Sequence, residues 1–315
     1  MANPTSVHEP YRDPSVGDLT IRTSDKIEFH VHRRRIADVS PVFSDMFSLP
    51  GPPADGKIEK QVVDVSEPSA IWSKLLPLVH VDEPTLSLAD IYNLLVASDK
   101  YQMTGIKNRM RTHLLRSDVL DDSPYAVYAL ACYGCFEDVA GVAARRTLKL
   151  PVYPQTVPEF AYVSGRAIYR LLEYRQKCAA AARAAIKVVP TTPATSSFTW
   201  LSNGCPDSKT CDTRVCRRTS IVVETSTWKK SSTRVTYDIR SLWLEYLHHL
   251  ANELEHNPHE SVACSFTHLI PIVTSVMASC PGCSLIIHAE VSRFSQAAEE
   301  QIRGAVSTVK LVLES

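Results

Sequence analysis

The chain has 315 residues, 44% of them apolar and 22% charged, a globular composition long enough for two domains and incompatible with a wholly disordered protein. Lys plus Arg and Asp plus Glu both number 34, so no net field draws nucleic acid or an anionic membrane from a distance, and such a partner would need a local patch. Residues 1–6 lack the basic start and apolar run of a secretory signal, and no stretch approaches 18 uncharged apolar residues. The expectation is a soluble, intracellular protein of nucleus or cytoplasm, with no membrane partner.

Residues 1–15 carry Pro4, Pro10 and Pro14 among polar neighbours and read as a flexible leader. Leu19, Ile21 and Thr23 then alternate with Asp18, Thr20 and Arg22, and after the polar Ser24-Asp25-Lys26, Ile27, Phe29 and Val31 alternate again. Period two on both sides of a turn signal predicts a β-hairpin with one buried face. Beyond His32 the period lengthens: Ile36, Val39, Val42-Phe43 and Met46-Phe47 recur at three- and four-residue spacing, as in two short helices. The breaker cluster at 50–56 is a loop. Ser87, with Asp90 three residues on, caps a helix whose inward stripe is Leu88, Ile91, Leu94-Leu95 and Ser98. The next helix carries Lys107, Arg109, Arg111, His113 and Arg116. They read as a solvated face over Ile106, Met110 and Leu114; a phosphate-contacting surface is the alternative.

Asp18-Leu19 opening a strand, Phe29-x-Val31-His32, Ser40-Pro41-Val42-Phe43 and Met46-Phe47 occur in the order found in the BTB/POZ domain. Residues 16–118 resemble that domain. The resemblance implies a third strand at 61–65 and helices at 70–79, 91–101 (ending Ala97-Ser98-Asp99-Lys100-Tyr101) and 106–115. The implied fold is α+β, a short three-stranded sheet with a helical cluster, followed by a mainly α-helical C-terminal region. Pro77 lies inside one of the implied helices, where a proline costs roughly 3 kcal/mol, and leaves that helix's end open. Dimeric members commonly place an amphipathic helix before the first strand; residues 1–16 have none, so an exchange of N-terminal segments is not expected.

Asp121-Asp122-Ser123-Pro124 starts a further helix holding Tyr125, Val127-Tyr128, Ala131-Cys132 and Cys135, and 136–150 forms another. Cys132 and Cys135 have the spacing of half a metal site but read as core thiols within an apolar helix. With a helix at 164–188, residues 119–188 form a helical extension of the kind many cullin-binding relatives carry. Residues 189–236 are rich in Thr and Ser and read as a loop-rich, cysteine-containing segment. The C-terminal region, 237–315, reads as three helices: one from Tyr237 to Asn257, one over 261–279 interrupted at Pro271, and one over 285–313.

Nine cysteines in a reducing compartment read as thiols or metal ligands rather than disulfides. Cys280-Pro281-Gly282-Cys283 is a tight pair on a turn, and two of Cys205, Cys211 and Cys216 would complete a tetrahedral zinc site. Fungal BTB/POZ proteins look similar here, with a cysteine-bearing loop, a helix like Trp243-Leu244-Glu245-Tyr246 and a late Cys-x-x-Cys. Structural zinc is therefore the one candidate cofactor, with separate thiols as the alternative. A redox Cys-x-x-Cys wants a strand before it, and here a helix precedes. No nucleophile elbow, phosphate-binding glycine loop or His-Glu-x-x-His occurs, so no catalytic residue is assigned, and His248-His249 read as solvated.

By resemblance the chain is a non-catalytic interaction module, with another BTB/POZ chain, a cullin ubiquitin-ligase scaffold or a client protein as partner and nucleic acid disfavoured. The alternative is a transcription-associated regulator with a zinc-stabilised C-terminal region contacting nucleic acid or protein. In cullin-binding relatives the groove lies near segments matching 40–47, 92–101 and 124–135 here. Tyr101, Tyr125 and Tyr128 are the candidate anchors, their rings apolar and their hydroxyls able to stay wet.

Overall fold

The computed structural model describes residues 11–49, 60–80, 82–152, 156–186, 218–226 and 232–312. They fall into two compact units, one holding residues up to 143 with 157–164, the other 144–156 and everything from 165 onward.

In the first unit β1 (Leu19–Arg22) and β2 (Glu28–Val31) form the expected hairpin, with Leu19 opposite Val31 and Ile21 opposite Phe29. All four of these side chains are buried, as one face of a two-residue period requires. Lys26 takes the left-handed φ of 63° in the turn. Asp25 accepts hydrogen bonds there from the backbone N–H (3.0 Å) and hydroxyl (2.6 Å) of Ser69, the first residue of α3 (Ser69–Val79). The hairpin turn thus caps a helix that starts 44 residues later, and the Ser69 and Thr23 hydroxyls pull the Asp25 carboxyl down to about 2.

The third strand, β3 (Gln61–Asp64), pairs parallel to β1 and gives the order β2-β1-β3. Helices α1 (Arg33–Val39) and α2 (Pro41–Ser48) follow the hairpin. Asp18 accepts a hydrogen bond from the Arg33 N–H at the start of α1, and Ser40 caps α2 through the Phe43 N–H. α3 runs through Pro77 to Val79. The proline sits in the last turn, where its fixed φ suits a helix and one hydrogen bond is lost, while Leu75, Leu76, Leu78 and Val79 are all buried around it.

α4 (Leu88–Lys100) opens with the predicted Ser87–Asp90 capping box, and α5 (Thr104–Leu114) buries Ile106, Met110 and Leu114. A short α6 (Ser117–Asp122), absent from the sequence reading, precedes α7 (Pro124–Tyr133) and α8 (Glu137–Thr147). Cys135 is not a core thiol: α7 stops at Tyr133, and Cys135 is exposed at a left-handed φ of 58°. Residue 11, within the segment read as a leader, is packed, and residues 1–10 lie outside the described residues. Tyr11 accepts the His30 N–H through its carbonyl and stacks on His80 at 5.3 Å. The breaker cluster at 50–56 lies outside the described residues.

The second unit is built on α9 (Gly165–Ile186), α10 (Ser241–His256), α11 (Phe266–Ser279) and α12 (Ile287–Ser307). Trp243 of α10 is fully buried and stacks on Phe294 of α12 at 4.5 Å. Arg175, almost fully buried on α9, donates to the carbonyls of Thr147, Leu150 (2.7 Å) and His256 (3.1 Å). A cation placed at the C-terminal ends of α8 and α10 answers the negative end of each dipole.

Two expectations fail in this unit. Residues 218–226 and 232–240, within and beyond the segment read as loop-rich, are antiparallel strands β4 (Arg218–Ser226) and β5 (Ser232–Arg240), so the helix begins at Ser241 instead of Tyr237. The period-two run Val235, Tyr237, Ile239 carries that strand signal. The second helix is continuous at Pro271 and breaks at Ser265, after a 3₁₀ turn over Glu260–Cys264. The span Glu260–Ser279 is long and apolar enough to cross a membrane by length and composition alone, a qualification of the sequence reading that the break at Ser265 limits to a 14-residue helix.

Candidate interaction surface

The three tyrosines expected as anchors are all buried within the first unit, with exposures of 6% for Tyr101, 4% for Tyr125 and 0% for Tyr128. Tyr101 belongs to an aromatic core with Phe43 (4.9 Å between ring centres) and Trp72 (5.8 Å). Its hydroxyl donates to Glu67 at 2.5 Å, and Lys100 donates to the same carboxylate at 2.7 Å. Burial works to raise the Glu67 pKa, and the Lys100 and Tyr101 hydrogen bonds outweigh it, leaving the carboxyl below its ordinary value; burial and that carboxylate push the Tyr101 phenol up. The Tyr101 carbonyl accepts from the Ser40 hydroxyl at 2.6 Å. Ser40 and Tyr101, 61 residues apart, thereby lock α2 to the end of α4.

The other residues carrying the resemblance divide between core and frame. Phe29, Val31, Phe43 and Phe47 are each buried, Phe43 and Phe47 have ring centres 5.9 Å apart, and the Arg33 guanidinium lies 4.6 Å above the Phe47 ring. Met46 is half-buried, and Asp18 and His32 are exposed at the strand-to-helix junctions.

A different set of aromatics reaches the surface. Tyr92 of α4 stacks flat on Tyr162 of the 3₁₀ turn Pro158–Tyr162, with ring centres 3.6 Å apart, and meets Tyr133 at the end of α7 edge-on at 5.0 Å. All three are half-buried. Burial, with Tyr92 and Asp99 adding, lifts the Tyr133 phenol, so it stays protonated at neutral pH. Ion pairs between Lys107 and Asp99 (2.7 Å) and between Arg111 and Asp138 (2.6 Å) lie on the neighbouring helices. Of the basic run, Lys107 and Arg111 on α5 and Arg116 just beyond it each pair with a carboxylate. Apolar rings inside a rim of paired charges is the composition of a protein-binding patch.

The BTB/POZ domain family model matches residues 8–118. The chain carries a BTB/POZ domain. No curated protein matches the chain. The matched span begins at residue 8 rather than 16, in keeping with the packing of Tyr11 against the BTB/POZ sheet. Tyr92 lies inside the BTB/POZ domain, and Tyr133 and Tyr162 come from the segments that follow it.

The sequence carried a signal for this correction. Residues 124–131 of α7 are apolar on every side and all buried, and a helix with no polar face offers no exposed anchor along its length. Only its last two residues, Cys132 and Tyr133, are half-buried. Tyr162 carried no such signal, since a 3₁₀ turn after a Pro-rich stretch shows no periodicity.

Of the cysteines proposed for zinc, Cys205, Cys211 and Cys216 lie outside the described residues. Cys280 and Cys283 are both buried at the single helical turn Pro281–Ser284, where the Cys283 N–H donates to the Cys280 carbonyl at 3.2 Å. Among the described residues no three His, Cys, Asp or Glu side chains are grouped to hold a metal ion.

Proposed function

We propose that this protein is a non-catalytic adaptor acting inside the cell, whose BTB/POZ domain engages a cullin-type ubiquitin-ligase scaffold through the Tyr92, Tyr133 and Tyr162 surface. BTB/POZ domains mediate protein–protein contacts, and the observation carrying this reading is the stacked tyrosine cluster at the junction of that domain with the helices after it. Large rings already held by one another lose little side-chain entropy on binding, which is why tyrosine recurs at interface hot spots. The test is a binding measurement with purified cullins using wild type and the Tyr92→Ala/Tyr162→Ala variant, with circular dichroism confirming the fold. Wild type should bind and the variant should lose at least tenfold in affinity. A wild type that binds no cullin ends the adaptor role; a folded variant that binds normally ends this choice of surface.

A second reading, a transcription-associated regulator with a zinc-stabilised C-terminal region, is favoured by the burial of Cys280 and Cys283 side by side in one turn. Two thiolates of a tetrahedral site are what that turn would contribute, and structural zinc would supply folding energy to the region. Metal analysis of protein kept reduced throughout should find about one zinc per chain; finding none removes this reading.

A further inference from the structure

The basic run of α5 divides along two edges of the helix. Lys107 and Arg111 stand on one edge and pair with Asp99 and Asp138. Arg109, His113 and Arg116, at spacings of four and three, stand on the other, beside the buried stripe of Ile106, Met110 and Leu114. This second edge forms one wall of a cleft of 570 Å³, and residues 83–86 form the facing wall. That facing wall is fixed at two points, because Lys74 donates to the Thr85 carbonyl at 2.9 Å and Ser87 caps α4. The cleft is therefore held open by contacts outside it.

The charges lining the cleft differ in what they hold. Arg116 is occupied by Asp118, through hydrogen bonds of 3.2 and 3.0 Å. Burial, with Arg116 adding, keeps the His113 imidazole below its ordinary value, so it is uncharged at neutral pH. Arg109 is different: its Nη1 is closed off from solvent, and among the described residues nothing accepts a hydrogen bond from it. A guanidinium nitrogen cut off from water ordinarily holds an oxygen, since otherwise its lost hydration is not replaced.

This unanswered cation selects an anion, and the rest of the lining narrows its kind. With the Glu83 carboxylate exposed on the same cleft, a single negative charge at Arg109 meets less repulsion than the two of a phosphate monoester. Leu78, Leu86, Met110 and Val119 supply an aliphatic lining, and the volume falls within the range of small-molecule sites, about 300–1,000 Å³.

We propose that the cleft between α5 and residues 83–86 binds a small organic acid, with its carboxylate on Arg109 and its aliphatic body against Leu78, Leu86, Met110 and Val119. None of Tyr92, Tyr133 and Tyr162 lines this cleft, and the site does not depend on cullin binding.

The test is a ligand-observed NMR titration of the full chain at neutral pH, with 4-methylpentanoate as the probe and its neutral amide and inorganic phosphate as comparisons. The acid should bind saturably at one site, and the amide and phosphate at least tenfold more weakly, a contrast read on wild type alone. Arg109→Met should weaken the acid at least tenfold with circular dichroism unchanged, whereas Arg111→Met, which removes the same charge from the other edge, should leave it within twofold. Failure of the acid to saturate overturns the proposal, as does an amide that binds equally well, which would mean an apolar hollow without a working cation. Phosphate binding tighter than the acid overturns the choice of ligand. Binding that appears only in Glu83→Gln overturns the site, because Glu83 would then be the partner of Arg109 in solution.

Discussion

α7 and α11 are similar in composition and opposite in fate. Neither Pro124–Tyr133 nor Phe266–Ser279 contains an Asp, Glu, Lys or Arg. Yet α7 is buried on all sides from Pro124 to Ala131, whereas α11 buries Val276 alone. Composition states how much apolar surface a helix must hide, and the neighbours present determine how much of it is hidden. For α7 those neighbours lie in its own unit: α4, α5, α6 and the 3₁₀ turn at Pro158–Tyr162 all pack on it. α11 also touches α10 and α12, but among the described residues those contacts bury only Val276 along its length.

Mutation should separate the two helices by the size of its effect. Tyr128→Ala in α7, like Phe43→Ala in the aromatic core, removes a ring that has at most 2% exposure and should cost about 3–5 kcal/mol in chemical denaturation. A much smaller loss would mean that the core is loosely packed there.

Glu67→Gln removes a charged acceptor from Tyr101 and Lys100 and should cost about 1.5–3 kcal/mol at neutral pH. Because the Glu67 carboxyl lies below its ordinary value of 4.5 in the folded state, its contribution is complete above 4.5 and is lost as pH falls through the folded value. Denaturation of wild type and variant across pH 3–7 should show the two curves converging at the acid end, and parallel curves would contradict this. Gly17→Ala should cost about 1–3 kcal/mol, since Gly17 has a φ of +71° and an added Cβ would stand 2.2 Å from the Val31 carbonyl oxygen. The smallest effect belongs to α11, where Ile270 is 54% exposed and Ile270→Ser should change stability by no more than about 0.5 kcal/mol in chemical denaturation. A loss comparable with that of Tyr128→Ala would show Ile270 buried, and α7 and α11 would then no longer differ.

Much of the first unit was legible because its signals are local. The alternation at Leu19–Arg22 and at Phe29 to Val31, the Ser87–Asp90 box and the Ile106, Met110, Leu114 stripe each lie within a few residues and each appear in place. Which tyrosines reach the surface was not legible. Segments 92–101 and 124–135 each supply a half-buried tyrosine, Tyr92 and Tyr133, while Tyr101, Tyr125 and Tyr128 are buried. A tyrosine has the same local sequence signature whether its ring faces out or in, and the Tyr101 hydroxyl turns inward because Glu67, 34 residues away, receives it. The β4–β5 pair was missed for a related reason: Val235, Tyr237 and Ile239 fit a strand, but the leucines that follow drew the helix reading back across Arg240.

By itself the sequence determined where period changes from two to three and four, which residues cap helices, and that 16–118 resembles a BTB/POZ domain, because these depend on neighbours within one turn or one strand. Only the tertiary structure decided that β3 runs parallel to β1, that Asp25 caps α3, that Arg175 answers two helix ends, and which apolar helix stays uncovered. Those outcomes depend on groups brought together across tens of residues, and chain closure over such distances leaves no periodic trace in the sequence that is closed.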